Sequence, residues 1–563
     1  MDSDLTISQA AKLAPLGEIA AKMGLPAETL EPYGAHVAKI KLSALGALAD
    51  RPRAKYVVVS AITPTPLGEG KTTTTVGLGQ AMHHVGKSAT IAIRQASLGP
   101  TFGIKGGAAG GGYSQVVPME LLNLHLTGDF HAVTSAHNML SAIVDNHLHL
   151  GNKRGLDLKN ITWRRVLDVN DRSLRNIVVG LGGSLDGVVR QTGFDITAAS
   201  EVMAILALST SYPDLRARLQ RIVVGYTPDR SPVTAGDLQA AGAMAALLRD
   251  ALKPNLMQTL ENTPVLVHAG PFGNIAHGNS SVMADLIGIR TADYLITEAG
   301  FGADMGAERF FNIKCRASGL VPDACVIVAT VRALKLHSGK YRVVAGKPLP
   351  EAMLQESPDD VRAGGANLRK QIENIRVHGV SPVVAINAFP GDFPSEHAAI
   401  EEIARAMGAR VAVSTHFVHG GAGATDLAQA VIEACEEPSG FHFLYPDSAT
   451  LQEKIAAVAT KVYGADGVSY SPAAAKQCET FERNGFGKLA VCIAKTHLSI
   501  SSDPTLLGAP TGWTLPVREM RASVGAGFVY PICGDMQTMP GLGATPAANR
   551  IDIDDDGTII GLS

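Results

Sequence analysis

Cysteine, aromatic side chains, long apolar runs and an excess of either charge are all scarce in this chain of 563 residues. The six cysteines, Cys315, Cys325, Cys435, Cys478, Cys492 and Cys533, form no CxxC pair. That argues against a zinc or disulfide framework and fits reduced, mostly buried thiols of a cytoplasmic protein. The 49 basic and 52 acidic residues nearly cancel, leaving a formal charge of -3 with no extended basic tract, so nucleic acid is not an expected partner. No run of about 18 uninterrupted apolar residues occurs, and the first residues lack a basic-then-apolar signal pattern. Neither a membrane span nor secretion is expected. Aromatics are 5% of the chain, whereas glycine is abundant at 59 residues, which suits an α/β protein with many tight turns between strands and helices. The length exceeds what one core usually serves, so more than one domain is expected.

What is present is organised around Val57 to Thr75, VVVSAITPTPLGEGKTTTT. It reads as a buried strand, a glycine-containing loop and the start of a helix. Backbone N–H groups at Gly68, Glu69, Gly70 and Lys71 can converge on phosphate oxygens, the Lys71 ammonium can reach outer phosphates, and the Thr72 hydroxyl can bind Mg²⁺. Thr65, Pro66, Leu67, Gly68, Glu69, Gly70, Lys71 and Thr72 are therefore the expected ATP loop. Thr65 stands where the usual GxxxxGK pattern has glycine, so the pattern fails by one residue while its strand and helix context is intact.

Residues 6–50 have apolar residues at three- and four-residue spacing and are expected to be helical. Ala89 to Ile93 reads as a strand delivering Arg94 to a carboxyl edge, where open parallel sheets bind ligands. Arg94 is thus a candidate clamp on a transferring phosphoryl group, with a salt-bridged surface arginine as the competing reading. The segment GGAAGGGYS that follows is best explained by backbone approaching a ligand. A helix is expected over 127–150 with His131, His137, His147 and His149; their spacings of 6, 10 and 2 set no two imidazoles at i, i+4, which speaks against metal ligation. Residues 163–260 alternate helices with short strands such as 176–179 and 221–224, as an insertion or lid. Three strands, in TPVLVHAGPFGN, ADYLITEAGFGAD and DACVIVATVRAL, then end near His268, Glu298, Asp304 and Thr330. Glu298 or Asp304 could hold Mg²⁺ through water, and Asp304 could equally cap a helix. Past a boundary expected near 360, two more strands end close to Phe389 and Phe417, placed either to sandwich a flat ring or to pack under the loops. The acidic run RIDIDDDG reads as solvated hairpin surface. Together these features predict an α/β, phosphate-loop nucleoside-triphosphate-hydrolase-like fold. A mostly parallel doubly wound sheet would lie in a nucleotide-binding domain over 1–360, with smaller α/β domains over 361–463 and 464–563.

The chain resembles the formate–tetrahydrofolate ligase family over essentially its whole length. The resemblance rests on TPTPLGEGKTTTTVGLGQAM (63–82), SLGPTFGIKGGAAGGGYSQVVPME (97–120), TGDFHAVTSAHNMLSA (127–142), ITWRRVLDVNDRSLR (161–175), GPFGNIAHGNSSVMAD (270–285) and TEAGFGADMGAERFFNIKCR (297–316). GAPTG, VREMRASVGAGFVYPICGDMQTMPGL and GTIIGL extend it to the last residues. It implies that ATP, formate and tetrahydrofolate give ADP, phosphate and N10-formyltetrahydrofolate through formyl phosphate, with Lys71 and Arg94 catalytic and Arg94 on the formate. It also implies a pterin between Phe389 and Phe417, and a homotetramer aided by ammonium or potassium. Departures from the family pattern are Gln95-Ala96 for Glu-Pro, Leu121 for Asp, Phe417 for Trp, His419 for Lys and Ala422 for Glu. LAVCIAKTH and GLGATPA also replace LPVCMAKTQ and GLPTRPA. A ligase for another small acid, a phosphate-loop carrier or assembly switch, and a catalytically impaired family member are the alternatives.

Overall fold

The computed structural model describes residues 2–103, 108–344 and 348–562. Its centre is a twelve-stranded sheet. In chain order the strands are β1 (Leu30–Pro32), β2 (Ala38–Ile40), β3 (Lys55–Ala61), β4 (Ala89–Ile93), β5 (Gly110–Gly111), β6 (Ser114–Val117), β7 (Asn255–Thr259), β8 (Pro264–Val267), β9 (Tyr294–Glu298), β10 (Ala324–Ala329), β11 (Ser381–Asn387) and β12 (Arg410–Ser414). The spatial order is β1-β2-β7-β8-β4-β9-β3-β10-β11-β12, with β6 on β7 and β5 on β6. From β8 to β12 every pairing is parallel; the remainder, beginning with β7 on β8, is antiparallel. The architecture is mixed α/β with a large, mostly parallel central sheet.

Both faces of the parallel part are covered, which is why its strands are continuous apolar runs. In β3 the two-residue period sends Tyr56 and Val58 into one core with Leu295, Phe310 and Phe311, and Val57, Val59 and Ala61 into another with Leu78, Ala81 and Met82. Each large apolar side chain so buried contributes about 1.5–3 kcal/mol. One face carries the helices Lys71–His84 and Thr425–Glu436, the other Pro358–Arg376 and Pro394–Ala406. β11 pairs with β10 and β12 with β11, so one sheet runs across the boundary expected near 360. A second core is built mainly from the helices Asp129–His149 and Glu201–Leu208, and a third from residues 444–533 with Val223.

The expectation of helix through residues 6–50 is corrected. Asp4–Gln9, Leu16–Lys22 and Ala44–Ala47 are helical, but Leu30–Pro32 and Ala38–Ile40 are strands. Pairing of β2 with Asn255 and Leu256 overrides the local spacing, and the buried Lys39 ammonium it carries inward is met by Asp129 at 2.5 Å and by the Lys253 carbonyl at 3.0 Å. The acidic run near the end does form an exposed hairpin, Asp552–Ile553 on Ile559–Ile560. No helix among the described residues is long and apolar enough to cross a membrane.

The segment after β9 carries the contacts that join the C-terminal residues to the sheet. Arg309, 1% exposed, donates to the carbonyls of Gly273, Ala276 and Ile493. Beside it Glu308 accepts from Asn312 Nδ2 at 2.9 Å, and its second oxygen has no partner. Burial pushes the Glu308 carboxyl up to about 7, against the opposing pull of Asn312 and Arg309. The folded chain therefore holds a proton that the unfolded chain releases near 4.5, so stability falls as pH rises from about 4.5 and levels off above about 7. Glu308→Gln removes that loss. Thermal melts are expected to show the variant gaining on the parent between pH 5 and pH 8, with no further gain at higher pH.

Candidate active site

Arg94, Glu298, Thr330, Asn387 and the loop at 62–70 all emerge at the carboxyl ends of parallel strands, where such sheets bind ligands. In that loop only Gly68 (φ 74°) and Gly70 (φ 76°) have positive φ. Gly70 ends the loop directly before Lys71, the first residue of the helix. A Cβ on Gly70 would also lie 2.5 Å from Asn387 Nδ2, which donates to the Glu69 carbonyl at 3.0 Å. The buried Glu69 carboxylate in turn accepts from the Thr65 amide at 2.7 Å and the Thr65 hydroxyl at 3.1 Å. Thr65 thus replaces the usual glycine without strain, because its side chain closes the loop on Glu69. In the run of four threonines, which is helical, the Thr74 and Thr75 hydroxyls find acceptors in the carbonyls of Gly70 and Lys71 at 2.9 and 2.8 Å.

Three predicted residues meet in the first turn of this helix. The Thr72 hydroxyl donates to Glu298 Oε2 at 2.7 Å, and Glu298 Oε1 lies 3.8 Å from Arg94 Nε. Arg94 Nε is buried without a hydrogen-bond partner. Thr72 and Glu298 thus present two adjacent oxygens that could ligate Mg²⁺, next to a guanidinium and a helix N-terminus. Asp304 is placed otherwise: it pairs with buried Lys495 at 2.8 Å and accepts from Gln371 at 2.9 Å, so neither a magnesium nor a capping role is open to it. Thr330 caps the helix Val331–His337, and buried His268 bonds Ser281 and the Ala251 carbonyl, both at 2.6 Å.

Among the described residues no group of three or more His, Cys, Asp or Glu is placed to hold a metal ion. His137 is stacked on Trp163 at 4.0 Å and bonds Ser200 and the Arg164 carbonyl. Phe389 and Phe417, at the ends of adjacent strands β11 and β12, are each half-buried. Arg332 lies 4.6 Å above the Phe389 ring, and Phe417 rests on Gly111 and Gly112. Gly106 and Gly107 of the glycine-dense segment lie outside the described residues.

Sequence reasoning singled out Gln95 beside Arg94 but missed the enclosed His277 and Asn279. Both polar side-chain atoms of Gln95, His277 and Asn279 are buried and unpartnered. Burial, and then the charges of Lys314, Arg309 and Arg94, hold the His277 imidazole well below its ordinary range, so it is neutral at pH 7. Ala269 (φ 54°) and Phe301 (φ 61°), at the loops after β8 and β9, are non-glycine residues in the left-handed region. The visible signal was the motif GPFGNIAHGNSS itself.

The sequence profile of formate–tetrahydrofolate ligases matches residues 2–563. The chain belongs to that family. A formate–tetrahydrofolate ligase of Saccharopolyspora erythraea is 73% identical over 561 residues, covering 100% of this chain and 99% of the relative. Those of Cutibacterium acnes and Roseiflexus sp. are 63% and 61% identical, each covering 100% of both chains. The chain is accordingly an enzyme, a ligase.

Removing the Asn387 clamp in Asn387→Ala should cost about 1–2 kcal/mol. The check is a urea titration, where the midpoint falls at unchanged slope.

Proposed function

We propose that this family member joins formate to tetrahydrofolate at the expense of ATP, giving N10-formyltetrahydrofolate, ADP and phosphate through formyl phosphate. The observation that carries the reading is the meeting of Thr72, Glu298 and Arg94 at the start of the Lys71–His84 helix. Formate is a poor electrophile because hydroxide is a poor leaving group, and phosphorylation replaces that leaving group by phosphate. The loop at 65–72 cradles the phosphates of ATP with backbone N–H groups, and Lys71 neutralises the γ-phosphoryl group as it leaves ADP. Mg²⁺, when bound, withdraws charge from the phosphate oxygens; Thr72 and Glu298 would hold it. Arg94 binds the carboxylate of formate and then the acyl phosphate. The buried amides of Gln95 and Asn279 and the neutral His277 offer hydrogen bonds without adding a charge. The pterin lies between Phe389 and Phe417; the N10 nitrogen attacks the formyl carbon, and the tetrahedral species collapses by breaking the carbon–oxygen bond to phosphate while N10 gives up its proton.

Gln95, Leu121, Phe417 and His419 differ from the residues expected of the family, which gives weight to one other reading, a folded member with reduced turnover. Gln95 keeps hydrogen-bonding capacity beside Arg94 but carries no charge, and Phe417 keeps a stacking face smaller than that of tryptophan. Assembly as a homotetramer, activation by ammonium or potassium and a cytoplasmic site of action belong to the same proposal.

The test is ADP release with MgATP and formate, with and without tetrahydrofolate. Release is expected to require both acid and folate, and to fall by about 10²–10³ in Lys71→Ala. Release that is indifferent to formate, or that prefers a larger acid, would defeat the reading. In Thr72→Val, which keeps the side-chain shape, the Mg²⁺ concentration for half-maximal rate should rise severalfold while the melting temperature stays within a few degrees.

A further inference from the structure

Phe417 sits on a helix of one turn, His416–His419, with no side-chain cap, so its orientation is imposed from outside. The imposing element is the turn between β5 and β6. Tyr113 N donates to the Phe417 carbonyl at 2.9 Å, and Ser114 Oγ donates to the His416 carbonyl at 2.9 Å. The approach is close enough to require glycine: a Cβ at Gly112 would lie 2.1 Å from the Phe417 carbonyl oxygen, and one at Gly111 would lie 3.1 Å from the Phe417 ring. Gly110 (φ 95°) and Gly112 (φ 56°) are also left-handed, a conformation that a two-glycine turn does not keep unaided.

Asp4 supplies the restraint. Its Oδ1 accepts from the Gly112 amide at 2.8 Å. Its carbonyl accepts from Gln115 Nε2 at 3.0 Å, and the same amide group donates to the Gly112 carbonyl at 2.8 Å. Asp4 is itself fixed. It opens the helix Asp4–Gln9, which is capped by Ser3 and packs Leu5 and Ile7 inward, and Ser8 Oγ accepts from the Met119 amide at 3.0 Å.

We propose that Asp4 is a positioning residue for the folate side of the site, setting the Phe417 ring through the turn at 110–112. The proposal rests on the reading above that Phe417 is a face of the pterin site. A carboxylate bonding a backbone N–H is a strong, directional restraint. It acts on folate without touching it. The turn also meets the Lys71–His84 helix, where Gln80 Nε2 donates to the Tyr113 carbonyl at 3.3 Å and Thr74 Oγ1 lies 3.3 Å from His416 Nε2, but the bonds of Asp4 itself go to Gly112 and Gln115, so the effect of losing it falls chiefly on one substrate.

Asp4→Ala, Asp4→Asn and Phe417→Ala in the full chain, together with the double variant Asp4→Ala/Phe417→Ala, test this by steady-state kinetics. Asp4→Ala should raise KM for tetrahydrofolate about tenfold, equivalent to 1.4 kcal/mol, with KM for ATP and formate unchanged. Asp4→Asn keeps an acceptor oxygen and should restore most of the affinity, which also keeps the test open if the alanine variant folds poorly. The double variant should be no worse than Phe417→Ala alone, because the aspartate acts only through that ring. Unchanged KM for folate in Asp4→Ala, equal rises for all three substrates, or additive losses in the double variant would overturn the proposal. If Phe417→Ala leaves KM for folate unchanged, the assignment of the pterin site falls and this inference falls with it.

Discussion

The arrangement depends on holding the first turn of the Lys71–His84 helix at a fixed place beyond β3. Two left-handed glycines make that turn possible, and neither would keep it alone. The Glu69 side chain ties back to Thr65, and Asn387 reaches from two strands away to take the Glu69 carbonyl. Once the turn is set, Thr72 falls on Glu298 from β9, and Glu298 in turn faces Arg94 from β4. Four strands distant in sequence thereby converge on one helix end. The parallel sheet makes this cheap, because all of its strands deliver their last residues to the same edge.

How far this was legible follows from the range of each interaction. The strands β3, β4, β8, β9 and β10, the helix after the loop and the long helix Asp129–His149 were readable because their patterns are local and long. β1 and β2 were not: they pair with each other, but what joins that short hairpin to the sheet is β7, more than two hundred residues away. Arg94 and Glu298 could be named as strand-end residues. Their approach to Thr72, and the diversion of Asp304 to Lys495, depend on pairings that no single stretch encodes. The buried polar atoms of His277 and Asn279 were hidden for a related reason: a histidine or asparagine in a glycine-rich loop looks the same whether it is solvated or enclosed.

The C-terminal residues are wired into the base of the site as well. Thr63, in the loop at 62–70, bonds Asn367 and Gln371; Gln371 bonds Asp304, which pairs with Lys495, and Lys495 donates on to the Ser499 carbonyl. Every member is buried. Such a network is favourable only when complete, since breaking a buried pair by removing one partner costs about 3–5 kcal/mol. The loop at 62–70 is therefore held from behind by residues that include Lys495 and Ser499 of the C-terminal part of the chain.

That network also sets a schedule. Asp304 and its partner Lys495 are 191 residues apart, and a ribosome adding about 5–20 residues per second separates their emergence by roughly 10–40 s. Gln9 waits longer still for the Ile559 carbonyl, 550 positions on. During that interval β10, β11 and β12 are made, while the Asp304 carboxylate stands without its counter-ion. The nascent chain thus holds all twelve strands of the sheet before Lys495 reaches Asp304, so the network behind the loop at 62–70 closes only after the sheet itself has been made.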